Sequence, residues 1–145
     1  MKVTDDQVAS IRALLTRDIE GYNRISDQLD QANKNARGAL IASAFYLAGR
    51  RRFKGKPESE VKSFVDDLRT RRGLSEEIDP RVAERLILAT FTDEDIEDID
   101  GDAQGDHFAI LLAGIIADAR LSDSDLNSFL AEARELADEW LSVEN

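Results

Sequence analysis

Residues Ala39-Leu40-Ile41-Ala42-Ser43-Ala44-Phe45-Tyr46-Leu47-Ala48-Gly49, closed by Arg50-Arg51-Arg52-Phe53, decide the fold. Nearly every side chain as far as Gly49 is apolar or small, so a helix here has no polar side to give to water and must be surrounded by other helices. The stretch predicts a buried central helix from about 36 to 53. Its apolar run, about ten residues, is half of what a membrane span needs.

Outward from this centre, Lys54-Gly55-Lys56-Pro57 ends the helix, and the proline is suited to the first turn of the next one. There Val61, Phe64, Val65 and Leu68 recur at i, i+3, i+4 and i+7, and Gly73 closes the helix. Asp79-Pro80 reads as a cap followed by a first-turn proline, opening an apolar helix with Val82, Leu86, Ile87, Leu88, Ala89 and Phe91. Thr92 to Asp106 is acidic and predicts one short helix, with Ile96 and Ile99 inward, then a loop around Gly101 and Gly105. A second apolar helix follows at about 107 to 119. Ser122-Asp123-Ser124-Asp125 starts the last helix, whose buried face is Leu126, Phe129, Leu130, Ala133, Leu136, Ala137 and Trp140. Tyr46 and Trp140 are read as core aromatics.

Toward the N-terminus, Thr4-Asp5-Asp6-Gln7 has the form of a capping box. Val8, Ile11, Leu15, Ile19, Tyr22, Ile25 and Leu29 then make one narrow stripe, close to a heptad seam and broken mainly by Asp18. A single long amphipathic helix is expected, about 42 Å if continuous over some 28 residues, with a bend in Gln31 to Asn35. The overall expectation is all-α: a single-domain helical bundle of six or seven helices over 1–145. Residues 1–33 are expected to protrude or dimerise and 36–145 to form the core. Displacing the sequence by 65 residues pairs 44–69 with 109–134, including Gly49 with Gly114, Phe64 with Phe129 and Arg69 with Arg134. This predicts two similar helical hairpins, with both glycines at close helix approaches.

With 145 residues and no cysteine, the chain is long enough for a core without staples, and disulfides and thiolate metal sites are excluded. Met1 is followed by Lys2-Val3-Thr4-Asp5-Asp6 and no apolar leader, so a cytoplasmic protein without a membrane segment is expected. The net charge of −11 is polarised: 0 over residues 1–49, +3 over 50–85 and −14 over 86–145. Such polarity bears on partners rather than on fold.

Two charged segments invite a chemical reading. Eight carboxylates lie between Asp93 and Asp106, beside the sole histidine, His107. Asp98, Asp100, Asp102 and Asp106 are therefore candidate ligands for a hard cation, although the spacing does not match an EF-hand. Arg50, Arg51, Arg52, Lys54 and Lys56 form the one dense positive cluster and are candidates for holding phosphate groups. Cations in the last turn of a helix also complement its dipole, which accounts for them without a ligand. The helices flanking Gly73 to Asp79 are too far apart for a helix-turn-helix, and the helix from Arg81 is too apolar to read base edges, so nucleic acid is disfavoured. No nucleophile and base pair can be drawn from the spacing, so no enzyme and no cofactor are expected.

The segment Ala39 to Phe53, with Val61 to Arg69 and Asp79 to Ile87, resembles a set of uncharacterised small bacterial helical proteins, which implies a fold without an activity. Leu111 to Ala137, with Asp118 and Leu121-Ser122-Asp123-Ser124-Asp125, resembles the hairpin of tellurite-resistance TerB-like domains. That likeness implies an all-helical module with acidic, cation-associated sites. Ala119 stands where that pattern has glycine and Asp125 where it has glutamate. The function expected is a non-catalytic self-association or protein-interaction module, with itself or another protein as partner. Val8, Ile11, Leu15, Tyr22, Ile25 and Leu29 are the candidate contacts. The alternative is a regulator or sensor that binds phosphate groups at 50–56 or a divalent cation at 93–106.

Overall fold

A computed structural model of the protein describes residues 2–16, 18–28 and 34–143. Among the described residues the chain is all-α, with seven helices and no strand. They are α1 (Asp5–Leu15), α2 (Ile19–Gln28), α3 (Lys34–Phe53), α4 (Glu58–Arg71), α5 (Pro80–Leu88), α6 (Gly101–Ala119) and α7 (Asp123–Val143). They fall into two compact units, residues 1–44 with 116–145, and residues 45–115. The division passes through α3 and α6, each of which contributes to both.

In the first unit the long N-terminal helix expected from the stripe is two helices, α1 and α2, packed against each other. The reason lies in Thr16 and Asp18. The Thr16 hydroxyl donates back to the Arg12 carbonyl at 2.9 Å, and the Asp18 N–H reaches the Ala13 carbonyl at 2.8 Å, closing α1. The Asp18 carboxylate then accepts from the Gly21 N–H at 2.9 Å and caps α2. A Cβ on Gly21 would lie 2.2 Å from that carboxylate, so the glycine makes room for the cap. At the other end of α1 the capping box is present as expected, with Thr4 and Gln7 bonded reciprocally.

Just before that box, Val3 is buried and its backbone is held at both ends by α7. Its N–H donates to Asp138 Oδ1 at 2.8 Å, and its carbonyl accepts from Arg134 Nη2 at 2.9 Å. Arg134 also donates to Asp5 at 2.6 Å, and Arg12 reaches Asn127 and Asp123. Ser43 of α3 lies 2.8 Å from the Ala133 carbonyl of α7, a contact that small residues on both helices allow. The Ser122 hydroxyl caps α7 by accepting from the Asp125 N–H.

The second unit repeats this device. Ile78 is buried just before the Asp79 cap of α5, and Arg69 of α4 donates to the Ile78 carbonyl at 3.2 Å. Arg69 and Arg134 are partners in the 65-residue pairing, and each holds the carbonyl of a buried residue next to an N-cap. Val61, Phe64 and Val65 are buried on α4, as are Leu126, Phe129 and Leu130 at the paired positions on α7. Gly49 and Gly114 are both at close approaches, but onto different neighbours: Thr90 after α5 and Leu68 of α4. Pro57 proves to be the cap residue of α4 rather than its first helical residue. Gly73, at φ +66°, carries the chain out of α4.

The acidic segment also departs from expectation. Thr92 to Asp100 contains no helix, and α6 begins at Gly101, so Gly101 and Gly105 are helical. Side chains in this segment bond nearby backbone and so compete with helix. Thr92 Oγ1 accepts from the Glu94 N–H, and Asp95 accepts from the Glu97 N–H. Asp100 then caps α6 by accepting from the Ala103 N–H, while the Gln104 amide holds the Ile96 and Ile99 carbonyls.

Two glycines of α3 give opposite predictions. A Cβ on Gly49 would lie 2.8 Å from Thr90 Oγ1 and 2.9 Å from Thr90 Cγ2, whereas one on Gly38 meets nothing within 4 Å. Gly49→Ala is expected to destabilise by about 1–3 kcal/mol, as overpacking does, and Gly38→Ala to stabilise by about 0.5–1 kcal/mol. Urea denaturation of both variants checks the pair.

Candidate interaction surfaces

The acidic segment is organised by one cation. Arg85 is the sole Lys or Arg between residues 82 and 119. Its Nε donates to Glu94 at 2.8 Å, and its Nη1 and Nη2 reach the two carboxylate oxygens of Asp98 at 2.9 and 2.7 Å. Nη2 also bonds the Asp95 carbonyl. The guanidinium fork thus holds the loop by side chain and backbone together. These hydrogen bonds keep the Asp98 carboxyl below the usual carboxylate range and push the Arg85 guanidinium higher.

The four candidate cation ligands are therefore not brought together. Asp98 is on Arg85, Asp100 caps α6, and Asp102 and Asp106 are exposed on the first turns of α6. Among the described residues no group of three or more ligating side chains is placed to hold a metal ion. His107 is committed to the fold as well. It is buried, with Nδ1 lying 2.7 Å from the Ala103 carbonyl and Nε2 accepting from the Asp79 N–H at 3.0 Å. The carbonyl requires the proton on Nδ1, which leaves Nε2 as the acceptor. One ring nitrogen thus serves α6 and the other the cap of α5.

At the basic corner, the arginines lie along the protein rather than around a vacant centre. Arg50 donates to the Thr90 carbonyl at 3.1 Å and stands 5.3 Å over the Tyr46 ring. Arg52 stands 5.1 Å over Phe64 and 5.5 Å over Phe53. Arg51, Lys54 and Lys56 are exposed, the lysines on either side of Gly55 at φ +82°. The three arginines occupy the last turn of α3, where the helix dipole favours them.

The candidate contacts of the N-terminal stripe are divided between two helices and used within the chain. Ile11 and Leu15 are buried, and Val8 is half-buried. On α2, Tyr22 and Ile25 are half-buried, with the Tyr22 hydroxyl accepting from Arg37 at 2.6 Å. Leu29 lies outside the described residues. An exposed apolar surface occurs instead on α7. Trp140, expected in the core, is 36% exposed, the one exposed large hydrophobic residue among those described. The buried row of α7 runs on through Ala133, Ala137 and Leu141, and Trp140 lies at its margin. Sequence periodicity assigns a face without showing where its edge falls.

No family model, no curated protein and no solved structure matches the chain. Among the described residues no helix is long and apolar enough to cross a membrane.

The Arg85 fork makes stability depend on acid. A carboxylate whose folded pKa is lowered adds stability above its unfolded value, ordinarily about 3.9. That contribution is lost as pH falls through the folded value. At pH 7 an Asp98→Asn variant is expected to have a lower urea midpoint than the parent. The gap closes as pH drops below about 4, and urea titrations at several pH values test this; a gap that does not change with pH contradicts it.

Proposed function

We propose that the chain is a non-catalytic protein-interaction module. The observation that carries the reading is the use to which chemically capable side chains are put: His107, Arg85, Asp79, Asp98 and Asp100 bond helix ends and the acidic loop. Charge is also uneven along the chain, +3 over 50–85 and −14 over 86–145. Such a distribution steers and selects partners. The lack of cysteine fits a reducing, cytoplasmic setting. The TerB-like resemblance of 111–137 belongs to this proposal as well, supported by the helix–turn–helix of α6 and α7.

The exposed Arg51, Lys54 and Lys56 favour phosphate groups as a second reading. Capture from a nuclease-treated extract of the protein's own cells, beside a Lys54→Glu, Lys56→Glu variant, separates the two. A stoichiometric protein partner retained by both forms is the expected result. Retention of nucleic acid alone, lost with the lysines, contradicts the interaction module.

A further inference from the structure

The peptide group between Ile78 and Asp79 is gripped from both sides. Arg69 of α4 donates to its carbonyl oxygen at 3.2 Å, and Nε2 of His107 on α6 accepts from its N–H at 3.0 Å. Ile78 is buried and Asp79 caps α5, its carboxylate accepting from the Arg81 and Val82 N–H groups. One planar, rigid group thus ties α4, α5 and α6 together. The peptide group between Val3 and Thr4 is held in the same manner, by Arg134 on its carbonyl and by Gln7 Oε1 on its N–H at 2.9 Å.

The two clamps differ in one chemical respect. An amide oxygen accepts a hydrogen bond whether or not acid is present, whereas an imidazole nitrogen accepts only while the ring is neutral. The Nδ1 proton of His107 is engaged with the Ala103 carbonyl at 2.7 Å, so a second proton can enter only at Nε2. There it replaces the lone pair that receives the Asp79 N–H, and two N–H groups are left facing each other. The ring is buried, so the orphaned amide has no ready substitute in water. The charged groups at this joint are Arg69 on α4, Glu76 and Glu77 in the connection, Asp79 and Arg81 at the start of α5, and Asp102 and Asp106 on α6. None of these carboxylates bonds the ring, because both of its nitrogens have backbone partners. Protonation therefore costs the joint its acceptor without completing an ion pair.

We propose that His107 is an acid-operated latch on the connection between α4 and α5. A protonated ring releases the Asp79 N–H, and the start of α5 loosens while the Val3 and Thr4 clamp, closed by an amide, stays shut. Arg69, which also reaches the Ser75 carbonyl at 3.4 Å, keeps its hold on the other side of the peptide group, so the opening is local. Histidine is the side chain that ordinarily changes charge between about pH 5 and 8, which sets the range in which the latch works. It is a property of the fold and stands whether or not the chain has a partner.

An NMR titration of the full chain, labelled with nitrogen-15, from about pH 8 down to pH 5 reads the ring and the backbone separately. His107 is the sole histidine, so its ring nitrogens report its tautomer and charge without ambiguity. The ring is expected to be neutral at the start, with its proton on Nδ1. As the ring takes up its second proton, the Asp79 amide resonance should move with the same midpoint, and the Thr4 amide should not. Over the same range the Ile78, Asp79 and Val82 amides should lose about tenfold in exchange protection, the loss of roughly one hydrogen bond, once the slower intrinsic exchange in acid is allowed for. His107→Gln should abolish the transition at Asp79. An Asp79 amide that ignores protonation of the ring overturns the proposal, as does a ring that stays neutral until the whole chain unfolds. Loosening that takes in Thr4 together with Asp79, or an Asp79 transition that persists in the variant and so belongs to a carboxylate, overturns it as well.

Discussion

Helix α3 is rich in apolar and small residues, and its buried positions set how closely its neighbours pack on it within each unit. Gly38 is exposed, and Ile41, Ala42, Tyr46 and Leu47 are only half-buried. Five of its buried positions are small, Ala36, Ser43, Ala44, Ala48 and Gly49, beside the buried Leu40, Phe45 and Phe53. Small residues let neighbouring backbones come close, and the contacts show how close. Ser43 reaches a backbone carbonyl of α7, and Gly49 leaves no room for a methyl group beside Thr90. Larger side chains then fill in: Phe45 stacks on Phe108 with ring centroids 4.9 Å apart, and Phe53 meets Phe64 edge-on at 5.4 Å. Interiors packed this densely respond to a single added methyl.

Around that apolar centre, charged side chains act as braces at helix ends. Arg69 with Ile78 and Arg134 with Val3 are two versions of one arrangement: a guanidinium on one helix holds the carbonyl just before the cap of another. The cap's own N–H finds a different acceptor in each, His107 for Asp79 and Gln7 for Thr4. A histidine and a glutamine do the same work, which is why a lone histidine among carboxylates marks a structural joint here. Arg85 braces a loop in the same way. Several of the polar groups that suggest chemistry in the sequence, His107, Arg85, Asp100 and Arg50 among them, bond backbone that would otherwise be left without partners.

Much of this was legible before the structure. The apolar helix over 36–53 and the caps at Thr4, Asp79 and Ser122 follow from local rules, because each depends on residues near in sequence. The close approaches of Gly49 and Gly114 instead involve residues distant in sequence and are suggested by the 65-residue pairing. Errors arose where two local signals competed. Asp18 interrupts the N-terminal stripe, and its cap on α2 outweighs heptad continuity; the stripe alone cannot show that the chain turns back. In Thr92 to Asp100, side-chain bonds to backbone override the helical spacing of Ile96 and Ile99. The bracing role of Arg85 had a signal in the sequence, one cation facing a long acidic run. That of Arg134 had none, because Val3 lies at the other end of the chain. Exposure of Trp140 likewise depends on where the edge of the buried face of α7 falls, since Ala137 and Leu141 on either side of it are buried.

Native-state hydrogen exchange across the whole chain tests the central claim directly. If the buried stretch of α3 is held as its packing indicates, amides from Leu40 to Gly49 exchange only through global unfolding. The amides of Thr92 to Asp100, held by side chains rather than by a helix, then exchange through local opening at far lower free energy. Equal protection of the two segments, or local exchange within Leu40 to Gly49, would contradict the account.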